Sequence, residues 1–235
     1  MSETRWYLGF GASEQLFQLN QDFHASVSSA SEKEQSEKLL ALLSRFTDEC
    51  LDQYFLSPIE QVKMNSVGKK IVTSGVSAIK KTIHLTLKQV VKKMSKADKT
   101  QMADYISGLL MPLRESKRFP TYVAVPISDD LRGRLGTAVE NGKANGANSI
   151  TKEYTDALCE LIEVALNTYM NQPLSMMKLG MVMNKVTSVA SDTIRGAAQT
   201  VVRKVIPSMS EKEMEGFFEF SESIIYPNPQ MAEAA

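Results

Sequence analysis

The chain has 235 residues, of which 43% are apolar and 23% charged, and its 27 Lys and Arg residues are balanced by 27 Asp and Glu. This is the composition of a soluble globular protein, and a formal net charge of zero removes any bulk electrostatic case for binding nucleic acid. No apolar run approaches the roughly 18–20 residues that span a bilayer, because Lys178 and Lys185 interrupt the most apolar stretch, and two cysteines are too few for a disulfide framework.

The opening MSETRWYLGFG does not read as a secretory signal, with no basic region followed by an apolar one, and Ser2 makes myristoylation unexpected. Residues 5–10, RWYLGF, read as a short strand. Ser13 follows at a helix N-cap position, with Glu14 and Gln15 in the first turn to complement the helix dipole. The serine-rich SVSSASEKE reads as a flexible connection. A helix is expected over about 35–55, where Leu39, Leu42, Leu43, Phe46, Cys50 and Tyr54 recur at helical spacing. It should stop at SPIE, in which Ser57 can cap, Pro58 takes the first helical position and Glu60 closes a capping box. A long helix over about 58–94 carries Val72, Val76, Ile79, Ile83, Leu87, Val90 and Met94 on one stripe. Ser95 with Asp98 opens a last helix over about 96–110, ended by Pro112.

The series then repeats. A shift of 115 residues aligns the chain with itself without a gap, pairing Tyr7 with Tyr122, Ser13 with Ser128, Tyr54 with Tyr169, Pro58 with Pro173, Val90 with Val205, Ser95 with Ser210 and Pro112 with Pro227. The second series opens on TYVAV and Ser128, and its ENGKANGANS stretch reads as a turn or mobile tip. Helices are expected over about 151–170, about 173–206 (the more apolar long helix) and about 211–225. The expected fold class is mainly α, strictly α+β with one short strand per repeat: a tandem duplication of a β-α-α-α-α unit with pseudo-two-fold symmetry. Repeat 1 spans 1–115, repeat 2 spans 116–230, and 231–235 form a tail. A lone short strand leaves its backbone groups without partners, so the two strands should pair and join the repeats into one body. The alternative is two helical domains, each with a β-bearing loop.

Catalytic residue types are missing from the shared positions. His24 and His84 have no counterparts, no Cys/His cluster has metal-ligand spacing, and no G-x-S-x-G occurs. LGFGASEQL has the outline of a dinucleotide turn, but the third glycine position is Glu14, whose charge would repel a pyrophosphate. A tight strand-to-helix turn accounts for it, and neither cofactor nor metal is expected. Met176, Met177, Met181 and Met183 read as core packing. Cys50 and Cys159 lie on amphipathic helices, where acylation or a reactive thiol competes with inert burial.

Charge distribution gives the strongest functional signal. Residues 1–60 hold ten acids and four bases, whereas residues 61–99 hold ten lysines and a single acid, Asp98. On a helix, Lys70, Lys81, Lys88 and Lys92 share a narrow arc opposite the apolar stripe, flanked by Lys69, Lys80 and Lys93. Lys185, Arg195 and Arg203 match Lys70, Lys80 and Lys88 in the second repeat. A solvated helix face would ordinarily interleave acids among such lysines. The expected function is therefore a non-enzymatic binding or adaptor protein that presents this basic face to an anionic membrane surface or an acidic protein partner. The expected location is the cytoplasm, with peripheral association at a membrane. Nucleic acid ranks third, because no aromatics interleave the lysines. An enzyme or lipid-like small-ligand carrier with a pocket at the repeat junction is the competing expectation, followed by a structural subunit of a larger assembly. The sequence sets no oligomeric state, and acids within 32–60 would neutralise part of the basic face if their helix packs beside it.

Overall fold

The computed structural model describes residues 6–112 and 121–227. Arg5, the boundary between the expected repeats at 115–116 and the tail at 231–235 lie outside the described residues. In the first half, strand β1 (Trp6–Gly11) leads into helices α1 (Glu14–Ser26) and α2 (Glu32–Leu51). A π-helical turn at Asp52–Leu56 joins α2 to the short α3 (Ser57–Gln61); α4 (Ser66–Lys93), α5 (Lys96–Leu109) and strand β2 (Leu110–Pro112) follow. The second half runs β3 (Thr121–Ile127), α6 (Asp129–Asn145), a 3-10 turn at Ala147–Ile150 and α7 (Thr151–Leu166). A second π turn at Asn167–Asn171 precedes α8 (Gln172–Ser175), α9 (Gly180–Val205), a 3-10 turn at Ile206–Ser208, α10 (Glu211–Ser223) and β4 (Ile225–Pro227). The protein is thus mainly helical, with one small antiparallel sheet.

Side-chain caps set most helix starts. Ser13 accepts from the Leu16 N–H and Ser128 from the Leu131 N–H. Ser95 with Asp98, and Ser210 with Glu213, form the reciprocal capping boxes that their spacing predicts. The third predicted box does not form: the chain is already helical at Ser57, so no orphan N–H groups need that cap. The long helices also start later than expected. Lys63 turns the chain at φ 53°, after which Asn65 caps α4 by accepting from the Gly68 N–H. Gly180, at φ 74°, opens α9. Asn141-Gly142 is no loop tip but part of α6, which ends at Gly146, φ 89°. Gly142 serves packing instead: a Cβ there would lie 2.9 Å from the Phe218 ring.

The sheet order is β2-β3-β1-β4. The two expected strands pair antiparallel at its centre, from Trp6 opposite Ile127 to Gly11 opposite Tyr122. The edge strands were not legible, because Pro112 and Pro227 read as helix stops. Each closes an edge strand, the position in a sheet where a missing N–H is tolerated. Gly9 faces Ala124 at the centre, where a Cβ would press 2.8 Å from the Val123 carbonyl oxygen, so this glycine serves close strand pairing.

Both cores draw on both halves. One joins Leu131, Tyr154, Leu158 and Phe218 to Met64, Val72, Val76 and Ile79. The other joins Leu16, Phe23, Leu39 and Leu42 to Val123, Met177, Leu179 and Met183. Met177 and Met183 are therefore core, while Met176 and Met181 are exposed. Helix α4 packs against α9 so closely that no Cβ fits between Gly75 and Val201.

Candidate functional site

Pro58 and Pro173 lack an N–H, and in an α-helix their rings would crowd the carbonyls four residues back, those of Tyr54 and Tyr169. The chain answers by widening a turn. The Ser57 N–H bonds the Asp52 carbonyl, and the Gln172 N–H bonds the Asn167 carbonyl, five residues back in each case. π turns of this kind are frequent at functional sites. Here each carries one tyrosine, and the two hydroxyl oxygens meet 3.1 Å apart. Phe10 holds the Tyr54 ring edge-on at 5.4 Å, and Phe46 holds the Tyr169 ring at 5.2 Å.

The pair borders a cavity of about 240 Å³. Its lining includes Cys50, Ile83, Leu87 and Met102 from the first half and Ala165, Ala198, Val202 and Phe217 from the second. This space exceeds the roughly 150 Å³ of a cavity that admits benzene and falls just short of the roughly 300 Å³ at which pockets for drug-sized ligands begin. Among the described residues, no Lys, Arg, His, Asp or Glu lines it. Burial is the main cause that pushes the Tyr54 and Tyr169 hydroxyls well above the ordinary tyrosine value. Both residues are nevertheless only partly buried, and both line the cavity. Burial also pushes the Cys50 thiol up to about 12.

The basic residues occupy the outside of the long helices. Lys70, Lys81, Lys88, Lys92 and Lys93 are exposed on α4, and no ion pair engages them among the described residues. Lys69 bonds Glu60 at 3.2 Å, and Lys80 reaches Asp48 at 2.9 Å, where His84 also bonds at 3.0 Å. Lys185 is exposed on α9, Arg195 pairs with Glu163 at 2.9 Å and with Asp192, and Arg203 lies 3.4 Å from Asp156. The flanks of the face are thus partly neutralised, while the narrow lysine arc is not. Cys159 is 5% exposed, and burial raises its thiol as it does that of Cys50. Both thiols are held protonated, which opposes nucleophilic reactivity.

Two other clusters carry less. His24 Nε2 lies 2.7 Å from Ser107 Oγ, with Asp104 3.8 Å from the other ring nitrogen. That outlines a nucleophile, base and acid. However, Ser107 sits within α5, where backbone N–H groups are committed to the helix and cannot stabilise an oxyanion. Asn20 also bonds Ser107 at 3.0 Å, so the cluster joins α1 to α5. A solvent-open furrow of about 930 Å³ between α6 and α7 is the larger space. Four of its five charged side chains are already matched, Arg134 to Asp130 at 2.8 Å and Lys152 to Asp156 at 2.9 Å. Among the described residues, no group of three His, Cys, Asp or Glu side chains could hold a metal ion, and no helix is long and apolar enough to cross a membrane.

Set against protein-family models, curated proteins and solved structures, the chain matches none. The tyrosine pair went unread as a site in the sequence, although its signal was there. Tyr54 and Tyr169 are 115 residues apart, and each stands four residues ahead of a proline.

Proposed function

We propose that this chain is a non-enzymatic carrier of a small apolar ligand, held in the cavity at the junction of two tandem repeats. The cavity carries the reading: about 240 Å³, lined from both halves and by no charged side chain among the described residues. Protein interiors pack to crystal density with few voids larger than a water molecule. A ligand that fills such a space regains the packing contacts its apolar walls lack. The strand registers support the duplication. Gly9 faces its own counterpart, Ala124, and the pairing of Trp6 with Pro227 maps onto that of Thr121 with Pro112 under the 115-residue shift. The lining follows the same shift in Cys50 and Ala165, Ile83 and Ala198, and Met102 and Phe217. A pseudo-two-fold axis would then run between Gly9 and Ala124 and between the two tyrosines.

N-phenyl-1-naphthylamine, a neutral dye that brightens in apolar surroundings, should bind saturably at one molecule per chain. Ala165→Phe, which grows into the cavity, should weaken that binding at least about tenfold, because it fills the space the dye needs. A folded wild-type protein that shows no saturable signal would remove the carrier reading.

A second reading rests on separate residues. Exposed Lys70, Lys81, Lys88 and Lys92 have no acid partner among the described residues, which favours contact of α4 with an anionic membrane surface, or else with an acidic protein. A cytoplasmic protein, peripheral at a membrane, is what this reading implies. Each lysine near an anionic surface contributes about 1 kcal/mol. Co-sedimentation with phosphatidylglycerol vesicles should therefore fall steeply with salt and vanish when the four lysines become Glu. No sedimentation at low salt would exclude the membrane version.

A further inference from the structure

The chemistry of the cavity wall narrows the ligand class, on the premise that the carrier reading holds. Most hydroxyl protons in the wall are already committed. Thr47 Oγ1 donates to the Leu43 carbonyl at 2.9 Å, and Thr86 Oγ1 donates to the Thr82 carbonyl at 2.9 Å. Ser221 Oγ donates to the Phe218 carbonyl at 2.9 Å while accepting from Tyr154. Tyr105 donates outward, to the Thr168 carbonyl or to Gln172 Oε1, each at 2.8 Å. Tyr54 and Tyr169 differ. Their hydroxyls bond each other, so two protons serve one hydrogen bond and one proton is left over. A buried donor without an acceptor is costly, and a ligand oxygen is the acceptor the cavity can admit.

Charge limits the class from the other side. With no cation in the wall among the described residues, a carboxylate or phosphate would enter without a counter-charge, a strongly unfavourable burial. The proposed symmetry would also set the polar pair midway along the apolar wall rather than at its end. Met102 and Leu109 line the cavity, as do their counterparts Phe217 and Ile224, and the proposed pseudo-two-fold axis between the tyrosines would set these two pairs on opposite sides of them. We propose that the cavity takes an uncharged, elongated hydrocarbon with one acceptor oxygen near its middle, of the dialkyl ketone or ester class, and that the Tyr54–Tyr169 pair donates to that oxygen.

The test displaces N-phenyl-1-naphthylamine with 5-nonanone, its isomer 2-nonanone, and nonanoate at pH 8. The isomers share size and composition, so a difference between them reports the position of the oxygen. The expected result is roughly three- to tenfold tighter binding of 5-nonanone, the worth of one net hydrogen bond, with no displacement by nonanoate. The preference should survive in Tyr54→Phe and in Tyr169→Phe, since each keeps one hydroxyl with a free proton. It should disappear in the double variant, with ketone binding there read directly by calorimetry and its folding checked by circular dichroism and a cooperative thermal transition. Equal binding of the isomers by wild type, an unchanged preference in the double variant, or displacement by nonanoate would overturn the proposal. Failure of the dye itself to bind would instead count against the carrier reading beneath it.

Discussion

Gly75 and Gly196 both lie inside long helices, where glycine is a poor choice, yet their surroundings differ. A Cβ at Gly75 would run into the Val201 side chain, whose β-branch has little freedom to turn away. A Cβ at Gly196 would meet nothing within 4 Å. Gly75→Ala should therefore destabilise the protein by about 1–3 kcal/mol through overpacking, while Gly196→Ala should stabilise it by about 0.5–1 kcal/mol through helix propensity. Urea unfolding of the two variants checks both signs. Sequence alone could not have separated them, because the difference lies in what another helix places opposite each residue. Tyr54 and Tyr169 show the same limit. Their spacing and their prolines were visible, but the meeting of their hydroxyls depends on how the halves come together.

At the scale of elements, local chemistry was most legible where it is self-contained. Caps at Ser13, Ser95, Ser128 and Ser210 need only residues three positions on, and all four form. Prediction failed where an element answers to a distant one. Asn141-Gly142 looks like a turn but stays helical under packing from Phe218, and the edge strands at Leu110–Pro112 and Ile225–Pro227 exist because β3 and β1 accept them. Glu213 links the two kinds of determinant. It closes the α10 capping box and also accepts from the backbone N–H of Asn65, the residue that caps α4. Burial works against its charge, but the bonds from Ser210 and Asn65 outweigh that effect and lower its pKa. Its contribution to stability is therefore present above the ordinary glutamate value of about 4.3 and is lost as pH falls through the lower folded value. Glu213→Gln should flatten the fall in stability below about pH 4.3 relative to wild type. A variant that loses stability on acidification as steeply as wild type would contradict this role.

For the whole molecule, the interleaved cores matter more than the count of helices. Met177, Leu179 and Met183 complete the core around Phe23 and Leu39, while Met64, Val72 and Ile79 complete the one around Tyr154 and Phe218. The central β1–β3 pair crosses the same seam. Neither half buries its apolar face alone, so thermal unfolding should be a single transition with equal calorimetric and van't Hoff enthalpies; two separable transitions would argue for independent halves. The cavity lies on that seam, which explains why so little of it could be read from the sequence. Its wall is assembled from many elements of both halves, none of which marks a cavity by itself. The most direct test of the account is isotope-filtered NMR of the labelled protein with unlabelled 5-nonanone, observing contacts from ligand protons to methyl groups. The account predicts contacts to both Ile83 and Val202, one from each half and both in the cavity wall. Contacts confined to the exposed Leu85 and Val189, with none to the wall, would contradict it.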